Sequence, residues 1–248
     1  MLIIADAHVD EAFDNAVDFF GMLGHIARTR QDVVFLGDTF DLWIGLRRYE
    51  NDLHRRFMRW CREEKNKRFL WFVEGNHEYY VAEKRHTCFS SSSEISCLSD
   101  NGKLLFCHGD LINGSDRNYL AFRKIMKNRW TRSLVGPFPL GPAITQLAKQ
   151  RLKTTNLNFK QSIPDEALAH FAETHFRRGV QTIFSGHFHK HRHYIGRSDP
   201  RCSLYVIPAW HQDGTIGWYQ PAAHTLTCCH WEEIPVENDK QDIVDDPL

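Results

Sequence analysis

In Val33-Val34-Phe35-Leu36-Gly37-Asp38-Thr39-Phe40-Asp41 an apolar run gives way to a Gly-Asp pair. Four consecutive apolar residues, two of them β-branched, read as a strand buried on both faces. The Gly-Asp that follows puts a carboxylate where a sheet gives way to a loop. In α/β proteins, ligands bind outside the carboxyl ends of strands. A single Asp there carries little, because such a residue serves more often as a turn or helix cap than as a metal ligand.

The same design recurs along the chain. Leu2-Ile3-Ile4-Ala5 runs into Asp6-Ala7-His8, Phe69-Leu70-Trp71-Phe72-Val73 into Gly75-Asn76-His77-Glu78, and Leu104-Leu105-Phe106-Cys107 into His108-Gly109-Asp110. Ile183-Phe184 leads into Ser185-Gly186-His187-Phe188-His189. Five strand ends thus carry Asp, Asn or His, and independent caps would not all choose ligating residue types.

Between these strands the pattern turns helical. Glu11 to Arg30 places Ala12, Ala16, Phe19, Phe20, Leu23 and Ile26 on one face, and Tyr49 to Lys65 does the same with Leu53, Phe57, Trp60 and Cys61. Alternating helix and strand implies a parallel sheet with crossovers. Ser90 to Ser93 reads as a polar loop, and Asp100-Asn101-Gly102 as a turn before the strand from Lys103 to Cys107. From Thr182 onward the segments are short and β-rich, including Tyr194-Ile195, Ser203 to Ile207, Thr215 to Trp218 and Thr225 to Cys228; they read as mainly antiparallel. The expected organisation is one domain over residues 1–231, with an insertion at about 130–160 and a solvated acidic tail from Glu232 to Leu248.

Composition bounds the function. A chain of 248 residues that is 42% hydrophobic can bury a full core, and its formal net charge of zero provides no global field for a polyanion. Seven cysteines, an odd number without a Cys-x-x-Cys pair, read as reduced thiols in a reducing compartment. The first apolar run is too short for a signal peptide and lacks a basic flank, and no run approaches a membrane span. A cytoplasmic protein is expected.

Asp6, His8, Asp38, Asn76, His108, His187 and His189 supply enough carboxylate, amide and imidazole groups to surround two divalent ions if Asp38 bridges them. Strand alternation points Cys107 away from His108, so the donors are oxygen and nitrogen; manganese is the first choice, with iron or zinc also suited. Two such ions clamp a phosphoryl oxygen and lower the pKa of a bound water from about 15.7 to near 7, which points to phosphoester hydrolysis without a separate general base. His77, next to Asn76 at the catalytic centre, is placed to stabilise phosphoryl charge or protonate the leaving oxygen, unless it is a surface loop residue. Asp41 reads as a residue that orients a ligand histidine; Glu78 and Asp110 read as similar supports or as turn residues.

From Arg117 to Lys160 there is no Asp or Glu, while Arg117, Arg123, Lys124, Lys127, Arg129 and Arg132 are among the basic residues. Inside this stretch, Leu134-Val135-Gly136-Pro137-Phe138-Pro139-Leu140-Gly141-Pro142-Ala143-Ile144 is apolar and punctuated by Pro and Gly. A basic frame around apolar surface suits a ligand with phosphates and acyl tails, or an anionic membrane. Nucleic acid is not expected, because aromatic stacking platforms are few.

The blocks Asp6-Ala7-His8, Gly37-Asp38-Thr39-Phe40-Asp41, Gly75-Asn76-His77-Glu78, His108 and Gly186-His187-Phe188-His189 resemble, in this order, the signature of the calcineurin-like metallophosphoesterases. The resemblance implies a four-layer α/β/β/α sandwich. It also implies one ion held by Asp6, His8, Asp38 and His189, and another by Asp38, Asn76, His108 and His187. Cys107-His108-Gly109-Asp110, Asp116 to Arg123, Trp43-Ile44-Gly45 and Ala209-Trp210-His211 narrow the resemblance to the UDP-2,3-diacylglucosamine hydrolase branch, the pyrophosphatases of lipid A biosynthesis. That branch carries Arg where this chain has His77.

By this resemblance Asp116, Tyr119 and Arg123 lie near a lipid-linked nucleotide sugar, a helical, partly apolar cap at about 130–160 takes its acyl chains, and Arg151, Lys153 and Lys160 are substrate contacts. Such an enzyme would touch the cytosolic face of the inner membrane peripherally. A soluble phosphodiesterase or nucleotide pyrophosphatase of the same fold, and a non-catalytic scaffold, are the alternative expectations.

Overall fold

The computed structural model describes residues 1–10, 14–114, 117–128, 131 and 163–236. In chain order β1 (Leu2–Ile4) is followed by α1 (Ala16–Ile26), β2 (Val33–Phe35), β3 (Trp43–Ile44), α2 (Asp52–Glu64), β4 (Leu70–Val73), β5 (Glu78–Tyr79) and α3 (Val81–Lys84). Then come β6 (Ser91–Ser93), β7 (Ser96–Ser99), β8 (Leu104–Cys107) and α4 (Arg117–Met126). The next described helix is α5 (Asp165–Phe176), ahead of β9 (Thr182–Ser185), β10 (Arg192–Ile195), β11 (Ser203–Val206), α6 (Trp210–Asp213), β12 (Thr215–Gln220) and β13 (Thr225–His230).

The strands form two large sheets, ordered β13-β12-β1-β2-β4-β6 and β10-β11-β9-β8-β7. Their near-continuous apolar sequence follows from burial on both faces. Leu2 and Ile4 of β1, Val33 and Phe35 of β2, and Leu70 and Phe72 of β4 pack against Phe19, Leu23 and Ile26 of α1 and Phe57 and Cys61 of α2. The alternate residues Ile3, Val34, Trp71 and Val73 meet Phe106, Phe184 and Tyr205 of the second sheet. Leu105, Ile183, Leu204 and Val206 turn outward onto Leu168 and Ala172 of α5. Helix, sheet, sheet and helix thus stack as the expected four layers, with apolar seams between them and, among the described residues, a further small cluster of Leu42, Ile44, Tyr79 and Tyr80.

Parallel pairing aligns the functional strand ends. β1, β2 and β4 run parallel, with Leu2 opposite Val33 and Val33 opposite Leu70, so Asp6, Asp38 and Asn76 all follow the same edge. β8 and β9 are parallel in the second sheet, which brings His108 and His187 out together. The later pairings β10/β11, β12/β13 and β1/β12 are antiparallel, while β11 pairs with β9 in parallel.

Several boundaries differ from the reading of the sequence. Ser91–Ser93 is not a loop but a parallel edge strand on β4, with Trp71 opposite Ser91. Pairing satisfies the backbone edge of β4 there, and half-buried serines suffice at a sheet rim. The second helix starts at Asp52 rather than Tyr49, because Asn51 accepts the His54 N–H and His54 Nδ1 accepts the Asn51 N–H in a reciprocal cap. The tail expected to be solvated from Glu232 first makes a 3₁₀ turn over Trp231–Glu233, and Ile234 is buried beside α1.

The edge of the helix layer is tied by Arg68, a residue without a role in the sequence reading. Its buried guanidinium donates to the carbonyls of Ile26, Ala27, Thr29 and Gln31 and pairs with Glu64 at 2.8 Å. It satisfies carbonyls that the end of α1 leaves open. All seven cysteines are free thiols. Among the described residues, no helix is long and apolar enough to cross a membrane.

Candidate metal centre

The loops that leave β1, β2 and β9 bend sharply. Asp6, His8, Asp38, His187 and His189 all have positive φ, between 44° and 71°. Non-glycine residues in this region are strained by roughly 1–3 kcal/mol each, and such strain concentrates at functional sites. Main-chain bonds hold the bends: Asp6 and His8 donate to the carbonyls of Gly37 and Asp38, and Gly186 donates to that of His108. Two glycines allow the close approach. A Cβ on Gly75 would sit 2.2 Å from Asp38 Oδ1, and one on Gly186 would sit 2.7 Å from Asp6 Oδ2.

The side chains converge in a buried cluster. Asp6 Oδ1 lies 3.2 Å from His189 Nε2, while Asp38 Oδ2 lies 3.7 Å from His8 Nε2, 3.7 Å from His77 Nε2 and 3.5 Å from His108 Nε2. Three sets of donors each fall within 4.8 Å: Asp6 with His8 and His189, His8 with Asp38 and His77, and Asp6 with Asp38 and His108. Asn76 Oδ1 and His187 Nδ1 are 3.1 and 3.2 Å from His108 Nε2. All seven residues expected as ligands are therefore brought together.

Tautomers follow from the partners. His108 Nδ1 donates to the Leu36 carbonyl at 2.7 Å, and His77 Nδ1 donates to the Asp41 carbonyl, so both rings turn Nε2 toward Asp38. Asp41 thus meets His77, which is not one of the expected ligand histidines, through its main-chain carbonyl. His77 is buried in the cluster rather than placed on a surface loop.

The electrostatics call for a cation. Burial opposes ionisation of Asp6, but the imidazoles of His189 and His108 outweigh it and hold the carboxyl below its ordinary range. Burial opposes ionisation of Asp38 as well, and His77, His108 and His8 outweigh it in the same way. His108 is pushed up to about 10: burial favours the neutral ring, yet Asp38 and then Asp6 hold a proton on it. His187 is pulled down to about 4 by burial and by the charge on His108. Two buried carboxylates demand positive charge at this point, and a divalent ion meets the same demand. Asp6 Oδ1 and His189 Nε2 are buried and face each other without a hydrogen bond to satisfy either, which fits a donor pair arranged for a metal.

The supports were less legible than the ligands. Glu78, fully buried, accepts the N–H groups of Asp38, Thr39 and Gly75 at 2.7–2.8 Å and so staples the loops after β2 and β4 together. Burial, then the charge of Asp38, raises it to about 8. His211, present in the sequence only as part of Ala209-Trp210-His211, bonds through Nδ1 to the Asp6 carbonyl at 2.9 Å. Its ring centroid lies 5.1 Å from that of His8 and 5.0 Å from that of His189.

Of the expected substrate contacts, Arg123 pairs with Asp110 at 2.9 Å and donates to the Glu94 carbonyl. It also lines a cavity of about 360 Å³ with Glu94, Leu111, Leu120, Lys124 and Lys127. Tyr119 lies in α4, its side chain outside the described set. Asp116, Arg151, Lys153, Lys160 and nearly all of the insertion at 130–160 lie outside the described residues.

A family model described as Calcineurin-like phosphoesterase matches residues 1–191. A UDP-2,3-diacylglucosamine hydrolase of Shigella dysenteriae serotype 1 (strain Sd197) is 27% identical over 232 residues, covering 87% of this chain and 92% of that protein. One of the same name from Coxiella burnetii (strain Dugway 5J108-111) is 22% identical over 230 residues, covering 87% and 91%. A crystal structure of a predicted phosphoesterase from Streptococcus pneumoniae TIGR4 covers 93% of this chain and 88% of its own, with 12% identity and a TM-score of 0.39.

Proposed function

The chain belongs to the calcineurin-like phosphoesterase family of metal-dependent phosphoester hydrolases, and from that premise we propose that it cleaves UDP-2,3-diacylglucosamine to UMP and 2,3-diacylglucosamine 1-phosphate. The observation that carries this reading is the near end-to-end similarity to proteins named for that hydrolysis, alongside a complete set of strand-end donors.

In this reading Asp6, His8, Asp38 and His189 hold one divalent ion, and Asp38, Asn76, His108 and His187 hold the other. Manganese is favoured over iron and zinc. Such a pair, when bound, neutralises phosphoryl oxygens and acidifies a water to near neutral pKa, about 7. The chain's own residues do the rest. Glu78 and the Leu36 carbonyl fix Asp38 and His108 in place, and His77, held by the Asp41 carbonyl, presents Nε2 where phosphoryl charge builds up. The oxygen of water joins the phosphorus bonded to uridine, and the bridging oxygen departs with the diacylglucosamine phosphate. Arg123 and the cavity beside α4, whose lining residue Lys127 reaches the Gly75 carbonyl next to Asn76, receive the head group. Asp116, Tyr119, Arg151, Lys153 and Lys160 complete the substrate contacts, and the basic stretch from Arg117 to Lys160 brings the enzyme to an anionic membrane surface.

The test is manganese-dependent release of UMP from UDP-2,3-diacylglucosamine, beside UDP-N-acetylglucosamine and an aryl phosphodiester, with Asp38→Ala as control. Selective turnover of the acylated substrate, lost in the variant, is expected. Turnover of the soluble esters alone would reassign the enzyme to another phosphodiesterase, with His77 in place of the branch's Arg as its mark.

A further inference from the structure

The loop that carries Asn76 is held from two sides. Toward the cluster, Gly75 N–H donates to Glu78 at 2.8 Å and His77 N–H donates to Asp38 Oδ1 at 2.8 Å. Away from the cluster, the hold comes from α4. Lys127, just past the end of α4, places Nζ 2.7 Å from Glu74 Oε2 and 3.4 Å from the Gly75 carbonyl. Glu74 Oε1 accepts the Ala82 N–H at 2.7 Å. Both charged side chains are buried, with 4% and 1% exposure.

Three further contacts seat the same helix on the same group of loops. The Tyr80 hydroxyl donates to the Met126 carbonyl, Arg123 pairs with Asp110, and Met126 packs on Leu42, Ile44, Tyr79 and Tyr80. A buried ion pair is a poor source of stability, because removing both ions from water offsets their attraction; its best-attested use is to specify geometry. Here the geometry specified is the peptide between Gly75 and Asn76. The ammonium pins its carbonyl, Asp38 pins the His77 N–H of the next peptide, and the side chain of Asn76 is aimed from between them at His108 Nε2, 3.1 Å away.

We infer that Lys127 is a positioning residue for Asn76: through Glu74 and the Gly75 carbonyl, α4 sets the affinity of the ion held by Asn76 and His108. The inference rests on the reading that these residues hold a metal. It extends that reading to a side chain 51 positions away from Asn76 in sequence that is not among the proposed metal ligands, although it also lines the cavity beside α4.

The experiment is calorimetric titration of the metal-stripped full chain with Mn²⁺, together with thermal unfolding. Asn76→Ala first identifies which binding phase belongs to Asn76. The double variant Glu74→Gln/Lys127→Met removes both charges, so neither is left buried alone. It is expected to unfold close to the wild-type temperature and to weaken that one phase by about tenfold or more, the range typical of outer-sphere supports, with the other phase within about twofold. Should the double variant not fold, the isosteric Glu74→Gln alone must weaken the same phase by a smaller factor.

An unchanged Asn76 phase in a folded variant overturns the inference. Parallel weakening of both phases also overturns it, because that is what general loosening of the fold produces. A wild-type chain that binds no Mn²⁺ removes the metal reading itself, and the inference with it.

Discussion

The two sides of the candidate metal centre are built by different means. On the side of Asp6, His8 and His189, geometry is stored in the backbone: each residue has positive φ, and Asp6 Oδ1 and His189 Nε2 meet without a hydrogen bond to satisfy either. On the side of Asn76 and His108, neither residue is in the left-handed region, and geometry is stored in buried polar contacts: the Leu36 carbonyl, Glu78, and Glu74 with Lys127. His187 shares the positive φ of the first side while its ring bonds to His108 on the second, and Asp38 lies between them. Backbone strain is locked by neighbouring main-chain bonds, whereas a polar buttress can be undone one side chain at a time. The second side should therefore be the one that distant substitutions reach.

The largest test of this contrast is Asp38→Ala, which belongs to both sides. On the proposed reading, in which Asp38 is a ligand common to both ions, its loss removes several kcal/mol of transition-state stabilisation, so turnover should fall on the order of 10³-fold or more. Survival within about tenfold would mean that the two sides work without a common residue. Next comes Arg68→Ala, remote from both. Leaving buried Glu64 with only the exposed Lys67 at 2.9 Å, and the carbonyls at the end of α1 without their donor, should destabilise the fold by roughly 3–5 kcal/mol in urea unfolding, while Mn²⁺ affinity stays unchanged at a temperature where the variant is folded. A selective loss at one side would tie the helix layer to the site.

Glu78→Gln sharpens the contrast within the site. The carboxylate accepts three N–H groups, whereas an amide turns an NH₂ toward at least one of those donors. About 10- to 100-fold weaker Mn²⁺ binding is expected, greater in the Asn76 phase than in the phase lost by His189→Ala. Equal losses would show that Asp38, rather than the loop after β4, is what Glu78 serves. The smallest effect is predicted at Arg192 and Asp165, half-exposed partners in a two-pronged ion pair at 2.7 Å. A double-mutant cycle there should give about 0.2–1 kcal/mol and no change in metal affinity, because solvent screens exposed pairs.

What the sequence made legible follows the same division. The strands buried on both faces appear as apolar runs, with Leu2 and Ile4 facing helices and Ile3 facing the other sheet. Their polar ends stand out against those runs, so the cluster of Asp, Asn and His could be read before any geometry. Supports that meet only in three dimensions could not. Lys127 reaches Glu74 across 53 positions and His211 reaches Asp6 across 205, with no periodic pattern to mark either. The serines of β6 lack an apolar signal because a sheet rim needs only backbone pairing, and Ile234 follows Glu232-Glu233 and precedes Pro235, outside any apolar run.

Both sides depend on Asp38 being shared by two metal ions at the joined strand ends, as proposed. Crystals of the chain grown with Mn²⁺ and measured at the manganese absorption edge test it most directly. Two anomalous peaks about 3.5–4 Å apart are expected, one on each side of Asp38, with the second lost in Asn76→Ala. A single peak, or peaks away from Asp38, would contradict the sharing.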